Sequence, residues 1–229
     1  MERLIEFDHQ WLLAWNGSDS VWLDQVMLYV TRTSTWIPLM LALLIMLLRL
    51  RPWREVLLVV VSLALVILLC DQFASSLCKP LFARYRPSHE PQLLGLVDLV
   101  NGRRGGLYGF ISSHAANTFG AFMFLAIYLR RILTRRWLYV LAIVTIFLWA
   151  CLSSYSRIYL GLHYPGDILF GALAGLFFGW LIFRLFHRLS SYLLYHHEEQ
   201  PVIGLRELSP LLLPITFLFT LISISLIAL

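Results

Sequence analysis

The stretch SRIYLGLHYPGD, residues 156–167, holds an Arg, a His and an Asp between two long apolar runs. Charged side chains near membrane depth are costly and tend to mark function. His163 lies four residues before Asp167, and Pro165 suits the first position of a helix. This spacing lets the Asp167 carboxylate accept a hydrogen bond from one imidazole nitrogen and aim the other outward, as Asp does in hydrolytic triads.

Two other segments, KPLFARYRP (79–87) and ISSHAANTFG (111–120), also carry polar side chains at the edges of apolar runs. Their lysine and arginines can neutralise a phosphate, and arginine offers forked donors. Serines at the start of a helix lie where free amides and the dipole favour an anion. Of two histidines, one can attack phosphorus and the other can protonate the leaving oxygen. The candidate residues are Lys79, Arg86, Ser112, Ser113, His114, Arg157, His163 and Asp167.

Each of these residues also has a purely structural explanation. Lys79, Arg84 and Arg86 can extend along the membrane surface with their long side chains. Asp167 and the serines can cap helices, and the histidines can be buried and satisfied by carbonyls. Taken singly, the structural explanation is favoured; taken together on one membrane face, the set favours phosphate chemistry.

The elements that must position these residues are apolar helices. Of 229 residues, 59% are hydrophobic and 14% are charged, whereas soluble domains have about 25% charged residues. The apolar residues form runs that reach, with their flanks, the roughly 20 residues needed to cross a bilayer. We therefore predict an all-α, polytopic membrane helical bundle, with about six transmembrane helices in a single domain, residues 1–229. The predicted spans are 30–48, 55–77, 113–130, 137–155, 165–184 and 209–229.

Basic residues predict the orientation of these spans. Ten of the 18 Lys and Arg residues lie in three connections, at 49–54, 130–137 and 184–207. The positive-inside rule places these connections in the cytoplasm, and the three polar segments then share the opposite face. Because the arginines cluster at span ends, the net charge of +5 does not predict a nucleic-acid partner.

The N-terminal residues 1–29 are expected to form an interfacial segment rather than a cleaved signal peptide. The candidate headgroup contacts are Leu4, Ile5, Trp11, Leu12 and Trp15. The three cysteines, Cys70, Cys78 and Cys151, lack metal or disulfide spacing and are expected to be packing residues.

Of three shorter features, two leave alternatives open. The four-residue spacing of Gly171, Gly175 and Gly179 suits either dimerisation or packing inside one bundle, with packing favoured. The apolar stretch 93–100 predicts a short interfacial helix. In the turn that follows, Arg103 and Arg104 suit either a second anionic group or plain solvation.

The polar segments resemble the type 2 phosphatidic acid phosphatase (PAP2) superfamily, in its integral membrane lipid phosphate phosphatase branch. The family pattern of Lys, six residues and Arg-Pro is complete in KPLFARYRP. The pattern of Ser-Arg, five residues, His, three residues and Asp is complete in SRIYLGLHYPGD. The middle element, Pro-Ser-Gly-His, reads ISSH here, with Ile111 for Pro and Ser113 for Gly. The resemblance covers residues 55–185 and leaves 209–229 as an extra C-terminal helix.

The resemblance implies a role for each matching residue. His163 would be the nucleophile that forms a phosphohistidine, oriented by Asp167, and His114 would be the general acid that later activates water. The implied phosphate ligands are Lys79, Arg86, Ser112, Arg157 and the amide of Ser113. No metal ion and no other cofactor is implied.

The resemblance also implies a membrane lipid phosphate or pyrophosphate as substrate: undecaprenyl pyrophosphate, lipid A, phosphatidylglycerol phosphate or phosphatidate. We expect a bacterial inner-membrane protein, monomeric or weakly dimeric, with its site facing the periplasm, which favours the first two lipids. A lipid phosphotransferase could use the same site.

A non-catalytic transporter or lipid-binding scaffold is the competing class of protein. Transporters place polar residues near the middle of the bilayer. Here Asp71 and Asn117 lie near the outer ends of their predicted spans, which favours the enzyme.

Overall fold

The computed structural model describes residues 2–193 and 204–229. Nine α-helices occur in these residues. A π-helical segment, Phe73–Cys78, joins the fourth helix to the fifth without a break. The helices are α1 (Glu2–Trp15), α2 (Val21–Val30), α3 (Ile37–Leu50), α4 (Trp53–Gln72), α5 (Lys79–Phe82), α6 (Ser113–Ile132), α7 (Arg136–Tyr159), α8 (Pro165–Leu193) and α9 (Leu212–Ile227).

The structure confirms an all-α membrane bundle, although one predicted span is less apolar than expected. Five described helical segments are long and apolar enough to cross a membrane: Thr33–Leu50, Trp53–Phe82, Arg136–Tyr159, Pro165–Tyr192 and Glu207–Ile227. The predicted span 113–130 forms α6, a helix of 20 residues, but it is not among these five. Its polar first turns and terminal arginines lower its mean hydropathy.

Helix α6 tolerates this polarity because it lies in the middle of the bundle, against α4, α7 and α8. Its buried side chains near the site are small, including Ala115, Ala116, Gly120 and Ala121. Gly171, Gly175 and Gly179 of α8 face it, and a Cβ at each would run into the backbone oxygens of Ser112, Ala116 and Gly120, respectively. The small-residue stripe is therefore used for helix packing within one chain.

We predict that Gly175→Ala destabilises the protein, because the added methyl group has no space against the α6 backbone. Overpacking of this kind costs about 1–3 kcal/mol, which should lower the melting temperature measured in detergent. Gly106→Ala is the matched control, since nothing lies within 4 Å of a Cβ at that position. Equal melting temperatures for the two variants would contradict the packing account.

The predicted site residues and the basic connections lie at opposite ends of the bundle. At one end, the Ser112 amide donates to the Asp167 carbonyl at 3.0 Å, joining the starts of α6 and α8. At the other, Arg131 contacts His187 at 2.7 Å and Arg135 pairs with Glu207 at 2.7 Å. The connection 194–203, part of the predicted cytoplasmic segment, lies outside the described residues.

Two local predictions are wrong. Residues 93–100 form no α-helix, because Gly95 has a left-handed φ of 81° and Leu93 and Val100 are buried against the helix ends instead. Leu12 does not face the headgroups: it is fully buried with Leu93, Ile158 and Tyr164.

The other predicted contacts of α1 are consistent with an interfacial helix. Ile5, Trp11 and Trp15 are exposed on α1, while the side chain of Leu4 lies outside what the structure describes. The three cysteines are free thiols.

Candidate active site

The site is organised around the pair His163 and Asp167, both almost fully buried. Helix α7 ends before Gly161, whose left-handed φ of 65° reverses the chain. Pro165 then starts α8, and Asp167 lies in its first turn. The Asp167 Oδ2 atom lies 3.3 Å from His163 Nδ1 and accepts the Tyr164 amide at 3.1 Å. The carboxylate therefore contacts Nδ1 of the imidazole, which is the contact that the four-residue spacing predicts.

Three cations surround the imidazole. Lys79, Arg86 and Arg157 all lie within electrostatic range of His163. Arg86 is nearly buried and its Nε donates to the Tyr108 carbonyl at 3.1 Å. Three elements distant in sequence thus bring positive charge to one imidazole.

Lys79 and Arg157 each keep donors for an anion. Lys79 Nζ donates to Ser75 Oγ at 3.0 Å, which leaves two of its three protons. Arg157 Nη1 donates to Thr31 Oγ1 at 2.8 Å. Its Nε is buried and has no hydrogen-bond partner within the described structure. Buried polar groups in proteins are almost always satisfied, so this Nε marks a place for an acceptor.

The start of α6 faces the same space. Ser112 is the N-cap: its Oγ accepts the Ala115 amide at 3.4 Å, and its own amide is bonded to Asp167, so only its hydroxyl proton is available to a ligand. Ser113 is the first helical residue, and it is not among the described residues with positive φ. Its amide, like that of His114, lies in the first turn, where helix geometry leaves N–H groups without internal partners.

His114 lies near His163 and Arg157. It is hydrogen-bonded to the Thr31 backbone and lies within electrostatic range of both residues. All eight predicted site residues are therefore brought to one end of the bundle. Within residues 2–193 and 204–229, no three His, Cys, Asp or Glu side chains are placed to hold a metal ion.

Burial lowers the pKa of His163 well below its ordinary value, and the nearby Arg86, Arg157 and Lys79 charges lower it further. Burial disfavours the charged imidazolium, and so does each neighbouring cation. The ring is therefore neutral at pH 7, as a nucleophile must be.

We predict that His163 remains neutral in phosphate-free protein at pH 5.5, where a histidine with an ordinary pKa of about 6.5 is mostly protonated. A lowered pKa means that the proton binds only at lower pH, so the neutral form persists below pH 6.5. NMR spectra of protein with isotope-labelled histidine measure this directly, and His163→Gln assigns the signal. Titration of that signal at or above pH 6.5 would contradict the prediction.

A second carboxylate, Asp8, was not predicted at the site, and Arg84, which joins it to Asp167, was expected only to extend along the membrane surface. Arg84 Nη1 donates to Asp167 Oδ1 at 3.0 Å, and its Nη2 donates to Asp8 Oδ2 at 2.6 Å. Asp8 Oδ1 in turn accepts the Gly166 amide at 2.7 Å. The guanidinium also lies over the Tyr164 ring, 3.9 Å from its centroid. Helix α1 is thus joined by ion pairs to the first turn of α8.

We predict that Arg84→Gln destabilises the protein by about 3–5 kcal/mol, because it leaves the buried Asp167 without the arginine that pairs with it. Arg84→Lys should lose less stability because it keeps the positive charge. Some loss should remain, since an ammonium group cannot contact both carboxylates as the forked guanidinium does. Thermal unfolding in detergent measures both variants. A Gln variant as stable as the parent would mean that the bridge contributes nothing.

His114 lines two cavities, one of which is lined by arginines and the other mostly by apolar atoms. One, of about 330 Å³, is lined by Arg32, Arg103, Arg104 and Arg157. Another, of about 210 Å³, leads from His114 to Trp36 and Trp149. It shares these tryptophans with a cavity of about 370 Å³ between α3, α4, α6 and α7, whose lining is almost wholly apolar. An amphiphile could occupy both kinds of space.

The fold is that of an integral membrane helical bundle, and three cations and two histidines lie together at one end of its helices. A family model of the PAP2 superfamily matches residues 55–191, more than half of the chain. The chain belongs to the PAP2 superfamily, in its membrane lipid phosphatase branch.

Two curated relatives are similar along most of their length. The lipid A 4′-phosphatase of Bacteroides thetaiotaomicron is 43% identical over 205 residues, covering 89% of this chain and 86% of the relative. The lipid A 4′-phosphatase of Porphyromonas gingivalis is 36% identical over 188 residues, covering 81% and 75%. No solved structure matches the chain significantly.

Proposed function

We propose that this protein hydrolyses the 4′-phosphate of lipid A through a phosphohistidine intermediate. The substrate is suggested by the similarity of this chain to the two lipid A 4′-phosphatases. The chemistry is carried by one observation: a buried Asp167 holds Nδ1 of a neutral His163 amid three cations. Neutral imidazole is a nucleophile, and the cations can neutralise the phosphate that it attacks.

In the first step, His163 Nε2 attacks phosphorus while the bond from phosphorus to the sugar oxygen breaks. For His114 to donate a proton to that oxygen, its ring must be protonated in the complex, which the negative charge of the bound phosphate favours; the alcohol then leaves neutral. Asp167 accepts the Nδ1–H hydrogen bond and stabilises the positive charge that develops on the ring. Lys79, Arg86, Arg157, the Ser112 hydroxyl and the Ser113 amide hold the phosphoryl oxygens, whose charge they offset.

In the second step, water attacks the phosphohistidine, and the bond from phosphorus to Nε2 breaks. His114, now unprotonated, accepts the proton from this water. The products are inorganic phosphate and free His163. No atom changes its oxidation state, so the reaction needs no redox partner.

The lipid tails and the orientation of the protein belong to the same proposal. The cavity that begins at His114 and the apolar cavity that it meets at Trp36 and Trp149 would take acyl chains, while the phosphate stays at the helix ends. Because the basic connections lie at the opposite end of the bundle, the site would face the periplasm of a bacterial inner membrane.

The test is phosphate release from lipid A by purified protein in neutral detergent, with and without EDTA. Mass spectrometry of the product should show loss of the 4′-phosphate only. With lipid radiolabelled at that phosphate, quenched protein should carry label that survives alkali and is lost in acid. We expect His163→Gln to abolish both turnover and labelling, because no nucleophile remains.

His187→Gln is the matched control, since His187 lies at the opposite end of the bundle beside Arg131 and should leave turnover unchanged. Full activity in His163→Gln would overturn the nucleophile assignment, and strong inhibition by EDTA would overturn the metal-free mechanism. Transfer of the label to another lipid rather than to water would favour the phosphotransferase.

A further inference from the structure

The turn that carries Arg103 and Arg104 is fixed over the site. Two successive left-handed residues, Asn101 and Gly102, redirect the chain at its start. After the turn, His89 Nε2 lies 3.0 Å from the Gly105 carbonyl oxygen, and a Cβ at Gly105 would collide with the Arg86 guanidinium. The backbone of the turn is therefore pressed against a residue of the phosphate site.

The charges in this cavity are not neutralised. We call Arg32, Arg103 and Arg104 the arginine rim. None of the three has a carboxylate partner among the residues that the structure describes. No Asp or Glu lines the cavity, and Arg103 lies within electrostatic range of Arg157. All three arginines are exposed, so water screens part of their mutual repulsion, and an anion between them would offset the rest.

The place of the cavity relative to His114 indicates which part of a substrate would enter it. His114 lines this cavity together with the arginine rim. If His114 protonates the leaving oxygen, the alcohol attached to that oxygen must extend from His114. The polar side of that alcohol then meets the rim, while its apolar side meets the cavities toward Trp36 and Trp149.

We propose that the arginine rim binds a second phosphate, carried by the same lipid on the part that departs as the alcohol. This inference deepens the proposed function and rests on it. Guanidinium groups donate forked, charge-assisted hydrogen bonds to phosphate oxygens. The rim would thus select lipids that carry two phosphates over lipids with only one.

The test compares two lipids that differ in one group: lipid A with both phosphates, and lipid A with the 4′-phosphate alone. In neutral detergent, wild-type protein should prefer the first by kcat/KM. In the double variant Arg103→Gln/Arg104→Gln, this preference should fall about tenfold, as expected for loss of one or two partly exposed charge-assisted hydrogen bonds. Arg32→Gln should lower the preference in the same direction.

Arg3→Gln is the matched control: it removes one positive charge from an exposed position on α1, and the preference should not change. An equal loss on both lipids in the rim variants would mean long-range attraction, not a subsite, and overturn the proposal. Addition of phosphatidylglycerol distinguishes the source of the anion. If the preference appears only with this lipid, the second phosphate belongs to a neighbouring molecule and the proposal fails.

The two proposals fail in different ways. If wild-type protein hydrolyses neither lipid, the proposed function is wrong. If it hydrolyses both and the rim variants keep the full preference, only the subsite is wrong. Unchanged melting temperatures in the rim variants would confirm that any loss arises from binding.

Discussion

The whole site depends on the burial of one carboxylate, that of Asp167. An ionised carboxylate away from water is very unfavourable unless hydrogen bonds and opposite charge surround it. Here the His163 ring, the Tyr164 amide and the Arg84 guanidinium contact its two oxygens. Two of these contacts reach Oδ2 and one reaches Oδ1, so both oxygens of the carboxylate that contacts the imidazole are held.

The close packing of α6 on α8 makes that arrangement possible. Glycines on α8 let the two backbones approach until an added methyl group would collide. At this separation the Ser112 amide reaches the Asp167 carbonyl, so the N-terminus of α6 points at the same space as the His163 ring. Helix packing in the membrane therefore sets the distance between an anion-binding helix end and a nucleophile.

His114 lies where a charged region of the protein meets an apolar one. The arginine-lined cavity is on one side of it, and the apolar cavities between α3, α4, α6 and α7 are on the other. A lipid phosphate has the same division between its charged head and its tails. Membership of the PAP2 superfamily and the shape of the site therefore agree on a membrane lipid as the kind of molecule that fits.

The sequence by itself determined the helical membrane class and predicted which polar residues would meet at one end of the bundle. Apolar runs of bilayer length leave no other fold, and the polar residues at their ends were recognisable because such residues are costly there. Only the tertiary structure decided how the pocket is held. Asp8 and Arg84 lie 76 residues apart, and their pairing depends on how α1 docks, which no local pattern encodes. The central position of α6, the burial of Leu12 and the absence of an α-helix at 93–100 have the same origin, because each depends on what packs against the segment.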